Sequence, residues 1–506
     1  MASAAIFSSV RRRRSPSLEA FLVPVDLTQV ALVQTLAALS SDLVSCFSDH
    51  VFFFQRRNSR SLVRKVEIFL VVLAYLRDSR SGSSSNLSPT AVLCFKELYL
   101  LLYRSKILLD YCSQSSKLWL LLQSHSIAGH FHDLNQEIST LLDVFPIKDL
   151  NLSDDIKEQV ELLQKQGRQC KLYVDKNDEV LRLKFFSFLD EFENGRIPNH
   201  VELRLFFVER LGIKDVESCR SEIEFLEEQI VNHEGDIEPA ASVLNGFIAI
   251  TRYCQFLLFG FEEDELRLCF KNPKKPWKGL ISQEMAHTFL TIPKDFCCPI
   301  SLDLMKDPVT VSTGQTYDRK SFAAALPIKA AIEANRATAV LLIQQLANGS
   351  QGAQTVAARE IRLLAKTGKE NRAFIAEAGA IPHLRKLLSS SNPVAQENAV
   401  TAMLNLSIYA KNKSRIMDED GCLGSIVEVL RLGLTVEARQ NAAATLFSLS
   451  AVHEYKKRIA DQGGAVEALA ELLRVGTPRG KKDAVTALFN LATHADNCSR
   501  MIEAGA

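Results

Sequence analysis

Apolar residues recur at helical spacing through most of the first half of the chain. Leu32, Leu36, Leu39 and Leu43 form one such series, and Val66, Leu70, Leu73 and Leu76 form a second. Leu98, Leu101 and Leu102 continue the theme, followed by Leu108 and Leu109. Ile156 to Leu172 sets Val160 and Leu163 against a polar opposite face, as an amphipathic helix requires. Strand-type alternation is almost absent. From Val25 to about Phe261 the pattern predicts one all-helical bundle or two. Its breaks fall at the Ser-rich Asp78–Pro89 and at Pro146–Ser153, where Ser153-Asp154-Asp155-Ile156 is placed to cap the next helix. Glu193-Asn194-Gly195 and His233-Glu234-Gly235 read as turns. The aromatic groups Phe52–Phe54 and Phe185-Phe186-Phe188 are expected in the core.

A different period governs the chain from Ile328 onward. Gly379, Gly421, Gly464 and Gly505 recur at spacings of 42, 43 and 41. After the first three comes an apolar helix, at Leu384–Leu388, Ile426–Leu430 and Leu469–Leu473. A second helix repeats the triplets Ala399/Met403/Leu406, Ala442/Leu446/Leu449 and Ala484/Leu488/Leu491, with a weaker copy at Ala357/Ile361/Leu364. A period near 42 with a glycine turn and two or three helices predicts an armadillo or HEAT solenoid, in which stacking buries one continuous core.

Between the two halves the pattern becomes irregular. Lys271–Lys278 is a proline-broken basic linker. Pro299 and Pro308 suit turns, Val309-Thr310-Val311 a short strand, and Gly314 the turn after it. Asp318 is placed to cap a helix starting at Arg319. The predicted order is loop, short hairpin, helix start.

Composition narrows the classes. The chain has 506 residues, enough for three or four domains, with 60 basic and 59 acidic side chains. A net charge of +1 gives no general reason to expect nucleic acid or a membrane surface as partner, and the one basic run, Arg11–Arg14, lies in a Ser-rich tail. No run reaches the 20 or so apolar residues a transmembrane helix needs. Eleven cysteines, odd in number and scattered, fit reduced thiols in a cytoplasmic or nuclear protein. A zinc site takes about four Cys or His ligands. Cys297 and Cys298 are adjacent with no further pair following, and His130-Phe131-His132 has no partner at ligand spacing, so no metal and no cofactor is expected. Glu227-Glu228 and Glu262-Glu263 read as solvated helix faces.

The residues Ile292-Pro293-x-x-Phe296-x-Cys298-Pro299-Ile300, then Met305-x-Asp307-Pro308-Val309, then Gly314-x-Thr316-Tyr317-Asp318-Arg319 resemble the first half of a U-box. The resemblance implies a zinc-free, RING-shaped module that recruits a ubiquitin-conjugating enzyme (E2). It assigns Pro299, Ile300 and Leu302 to E2 contact and Phe296, Cys298, Pro308, Val309, Gly314, Tyr317 and Asp318 to the scaffold. The family's second loop and closing helix have no counterpart here. The chain runs from Ser321 into Phe322-Ala323-Ala324-Ala325-Leu326-Pro327 and an Ala-rich helix. Gly379-Ala380-Ile381-Pro382 and Asn405-Leu406-Ser407 resemble armadillo repeats specifically. In that family an inner-helix Asn holds a partner's extended backbone. Asn405 and Asn490 match that position and Ser448 interrupts it, the alternative being that these Asn satisfy local helix groups.

The order of parts resembles the plant U-box armadillo E3 ubiquitin ligases. The expected fold is all-α dominated, with a disordered tail over 1–20, an N-terminal helical bundle domain over 21–265 and a linker over 266–290. A partial U-box, a small α+β element, follows over 291–322, then about four armadillo repeats over 323–506, the last truncated. The family implies transfer of ubiquitin from an E2 to a substrate lysine without a covalent enzyme intermediate. Substrate is chosen by the repeats or by the N-terminal bundle, and receptor kinases or exocyst subunits engage the N-terminal bundle in stress or immune signalling. The alternative is a non-catalytic adaptor or decoy that has lost E2 recruitment.

Overall fold

The computed structural model of the protein describes residues 29–80, 87–232, 240–261, 308–310, 316–318 and 329–505. The chain divides into two compact units, residues 1–187 with 224–232, and residues 188–223 with 233–506.

The first unit is built from α1 (Gln29–Phe47), α2 (Arg56–Arg80), α3 (Pro89–Gln114), α4 (Lys117–Leu122), α5 (Ser124–Val144), α6 (Asp154–Arg168) and the first turns of α7 (Lys176–Glu193). Helix α1 packs on α2 and α3, α5 on α3 and α6, and α2 on α5 and α6. The predicted stripes are the buried ones: Leu32, Leu36 and Leu43 on α1, and Val66, Leu73 and Leu76 on α2. Leu39 and Leu70 are half-buried at the edges of their stripes. Phe52, Phe54, Phe185 and Phe188 are core, as their spacing demands. The helix expected over 156–172 ends at Arg168, just after Gly167 closes onto Ser139. Ser153 holds the N-cap position of α6, but its hydroxyl makes no capping bond.

In the second unit, α8 (His200–Arg204) runs into a wide π turn at Leu205–Arg210, and α9 (Val216–Asn232) begins here and ends in the first unit. Helix α10 (Ala241–Phe259) buries Leu244, Phe247, Ile250 and Cys254. Both α1 and α10 are long and apolar enough to cross a membrane by composition. Here α1 packs on α2 and α3, and α10 on the first solenoid helix.

Two strands stand apart from the helices. β1 (Pro308–Thr310) and β2 (Thr316–Asp318) pair antiparallel, with Pro308 opposite Asp318, Val309 opposite Tyr317 and Thr310 opposite Thr316. The expected strand is present, shifted one residue toward the N-terminus. The expected turn at Gly314 and the helix after Asp318 lie outside the described residues.

The solenoid follows. α11 (Lys329–Asn348) and α12 (Gln351–Lys366) open it, and three three-helix repeats continue it. These are α13 (Lys369–Glu377), α14 (Ala380–Leu388) and α15 (Pro393–Ser407); α16 (Ala410–Asp418), α17 (Cys422–Leu432) and α18 (Val436–Ser450); and α19 (His453–Asp461), α20 (Ala465–Val475) and α21 (Pro478–Ala492). α22 (Cys498–Glu503) comes last. The glycines of the period sit between the first and second helices at φ of 86°, 69° and 81°, a left-handed turn that a side chain disfavours. The triplets Ala399/Met403/Leu406, Ala442/Leu446/Leu449 and Ala484/Leu488/Leu491 are all buried. Third helices start on a repeated cap, in which Ser350, Asn392, Thr435 and Thr477 accept from the backbone two or three residues on. Glu193 Oε2 accepts from the amide of Ala330 at 2.6 Å and so satisfies the first turn of α11.

Candidate functional site

The third helices α12, α15, α18 and α21 stack in a row. One face of each is buried in the solenoid core and the other carries the candidate groove residues. Asn405 and Asn490 are at matching, half-buried positions on α15 and α21. The Asn405 amide donates to the Arg362 carbonyl of the preceding repeat at 2.9 Å, and the Asn490 amide donates to Ser450 Oγ at 3.2 Å. Both therefore tie neighbouring repeats together. At the interrupted position Ser448 donates to the Ser407 carbonyl at 3.1 Å. Lys413 reaches over from α16 and donates to both the Ser448 carbonyl and its hydroxyl. Burial lowers the pKa of Lys413 from the ordinary lysine value.

A polar line continues across the row. Arg362 donates to Asn398 Oδ1 at 2.8 Å, Asn441 to Thr401 Oγ1 at 2.8 Å, and Arg479 to Asn441 Oδ1 at 2.8 Å. Beside it Asp483 is pushed above the ordinary carboxylate value by burial, opposed by Arg479 and Lys482. Large apolar side chains flank the line. Leu363, Phe447 and Phe489 are exposed, Phe489 by 71%. Exposed aromatics thus lie on the same helices as the polar line, so the row offers apolar side chains and hydrogen-bonding groups in a fixed repeat.

The ties that sequence reading missed lie at the helix ends. Asn412 Nδ2 donates to the Leu406 and Arg372 carbonyls at 3.1 and 2.8 Å, and Asn497 donates to Leu491 and Lys456 at 3.0 and 3.2 Å. On the first helices, Arg415, Arg458 and Arg500 meet Glu377, Asp418 and Asp461 of the repeat before at 3.9, 3.3 and 2.8 Å. The signal was available, because these residues recur near the same period as the glycines.

Of the U-box residues, Pro308, Val309, Tyr317 and Asp318 are brought into one hairpin by the strand register. Phe296, Cys298, Pro299, Ile300, Leu302 and Gly314 lie outside the described residues. Burial pushes the Cys219 and Cys422 thiols up to about 12 and raises Cys112 and Cys254 as well, so these four remain protonated at neutral pH. Among the described residues no group of three or more His, Cys, Asp or Glu side chains is gathered to hold a metal ion.

Comparison with known proteins connects these parts. Residues 56–171 match the PUB10-like, N-terminal domain family, residues 292–334 the U-box domain, and residues 339–506 the plant U-box protein ARM repeat region. The chain is similar to U-box domain-containing protein 17 of Arabidopsis thaliana, 66% identical over 574 residues that cover all of this chain and 79% of that protein. It is 42% identical to U-box domain-containing protein 4 of Oryza sativa subsp. japonica, over 97% of this chain and 75% of that protein. With U-box domain-containing protein 16 of A. thaliana it shares 35% identity over 98% of this chain and 78% of that one. The first alignment is longer than the 506 residues of this chain, so it passes positions for which this chain has no residue.

Proposed function

The chain belongs to the U-box domain-containing proteins, and from that premise we propose that it works as an E3 ubiquitin-protein ligase whose solenoid holds the protein to be modified. The observation that carries the reading is the joining, in one chain, of a U-box match over residues 292–334 to an armadillo row with a rigid polar line and exposed aromatics. In this reading the segment around Pro299, Ile300 and Leu302 docks a ubiquitin-charged E2. The row formed by α12, α15, α18 and α21 holds the substrate. Ubiquitin passes directly from E2 to substrate. A cytoplasmic or nuclear site of action, a role in stress or immune signalling, and receptor kinases or exocyst subunits as partners of the first unit are part of the same proposal.

A second reading is favoured by one observation. The aligned relative spans more positions than this chain has, and the U-box match runs directly into α11, which begins at Lys329. A chain lacking part of its U-box would bind its partners without recruiting E2, as an adaptor or decoy. One assay separates the two. The chain is incubated with E1, a promiscuous E2 and ubiquitin, beside a version in which the skipped positions are restored from the relative. Ubiquitin ladders from both identify a ligase. A ladder from the restored version alone makes the native chain an adaptor.

A further inference from the structure

The start of α2 breaks the usual charge rule for a helix. Its first three turns carry Arg56, Arg57, Arg60, Arg64 and Lys65, and no acidic residue stands in the first turn. Cations at the N-terminus oppose the helix dipole, and like charges four apart repel. The 56, 60, 64 spacing gathers these side chains on one face. They line a cleft of about 480 Å³ between α2 and α6, whose other walls include Gln166, Leu163 and Ile68. That volume is within the range of small-molecule sites, about 300–1,000 Å³.

Among the described residues this face is only partly neutralised, by Asp178, which interacts with Arg56, and by Asp175 on the cleft wall. Arg56 Nε donates to the Phe52 carbonyl at 3.0 Å, and Arg57 lies over the Tyr173 ring at 4.4 Å. Among the described residues no carboxylate is in ion-pair contact with Arg56, Arg57, Arg60 or Arg64. Lys65 is only 7% exposed, and its ammonium donates to a neutral partner, Asn135 Oδ1. Asp175 is the one carboxylate on the cleft wall, and it also accepts from the Asn177 amide at 2.9 Å. A buried lysine that meets only a neutral amide, beside the unpaired guanidiniums of Arg60 and Arg64, leaves an excess of positive charge that a bound anion would offset.

The charge indicates the class of anion. A single phosphomonoester carries about −1.5 to −2 and is matched by one or two arginines. Five cations against the carboxylates of Asp175 and Asp178 leave an excess of about three charges, which calls for two phosphoryl groups. Arg60 and Arg64, one turn apart, offer guanidinium forks to two such groups, while Ile68 and Leu163 give a ring an apolar surface to rest on. We propose that the cleft between α2 and α6 binds a small polyphosphorylated molecule of the inositol-polyphosphate type, free or as the headgroup of a lipid. This does not depend on whether the chain has ligase activity.

Calorimetric titration of the full chain with inositol hexakisphosphate, at about 0.15 M salt, tests it. Saturable binding is expected, weakened at least about tenfold by Arg60→Gln with Arg64→Gln. Both side chains are exposed, so circular dichroism should show an unchanged fold. Arg77→Gln, farther along the same helix, should leave binding unchanged. Flotation with vesicles with and without a phosphatidylinositol bisphosphate separates the sources. Capture that soluble hexakisphosphate displaces points to the lipid headgroup, and titration without vesicle capture points to the free ligand. Absence of binding, equal binding by the double variant, or binding of a phosphoserine peptide in place of hexakisphosphate would overturn the proposal.

Discussion

Asp178, on the first turn of α7, holds a corner of the first unit together. Gln55 has a left-handed backbone, φ 57°, and is buried. Its amide donates to Asp178 Oδ2 at 3.0 Å, its side chain donates to the Ser124 carbonyl at 2.8 Å, and it accepts from Asn58 at 2.8 Å. Burial pushes the Asp178 carboxyl from 3.8 up to about 6, with Asp175 adding to the rise and the Gln55 amide and Arg56 opposing it. The folded pKa therefore lies above the unfolded one. The folded state binds this proton more tightly, and its contribution to stability is full below about pH 4 and lost as pH rises toward 6. About two units, at about 1.4 kcal/mol each, give about 2–3 kcal/mol. Asp178→Asn keeps an acceptor for the Gln55 amide and cannot ionise. Its stability relative to the native chain should rise by about 2–3 kcal/mol between pH 4 and pH 7. Urea unfolding followed by tryptophan fluorescence measures this. The chain has two tryptophans, and Trp119 is buried in α4, so a Trp277→Phe background makes the signal report on the first unit. Parallel pH profiles for the two proteins, or a less stable Asn variant at pH 7, would show that the anion is the favoured form and refute the argument.

Other outcomes follow from the solenoid and the U-box. Asn497→Ala removes the side-chain amide that donates to both the Leu491 and Lys456 carbonyls and ties the two repeats, and should cost about 1–3 kcal/mol in thermal unfolding. Gly464→Ala forces a side chain into φ 81° with its Cβ 3.1 Å from Arg431, for a loss of about 1–2 kcal/mol. Phe447→Ala with Phe489→Ala should leave stability within about 0.5 kcal/mol and weaken capture of a bound protein partner by at least about tenfold, read in a pull-down with a candidate substrate. Ile300→Ala should weaken E2 binding in the same degree, about tenfold by calorimetry, and unchanged affinity would remove Ile300 from the contact.

The solenoid was legible because its burial is periodic. Gly379, Gly421 and Gly464 each mark a backbone conformation that only one residue type adopts cheaply, and the Ala/Leu triplets mark the face that neighbouring repeats cover. The α1 and α2 stripes were legible for the same reason. Less legible were bonds made across repeats. Lys413 supports Ser448 from 35 residues away, and nothing in the local sequence of either names the other. The basic face of α2 escaped notice because whole-chain charge is balanced, and only helical spacing shows five cations on one side. The packing partner of α10 was not legible either, because its apolar pattern is the same whether it packs on the bundle or on α11; the pattern says that a face is buried, not what covers it.

Helices α10 and α11 touch directly, although residues 262–328 join them. The U-box segment is thus a guest between two host helices that are already clasped. Closing a longer or shorter loop across a fixed gap changes the free energy slowly, by about 0.6 kcal/mol per doubling of length. The host can therefore accept guests of different length without repacking. A cell that made both a long and a short guest would hold two proteins with one docking face and different outcomes after docking. Their ratio, rather than the affinity of either, would then set how a shared partner is divided between the two outcomes.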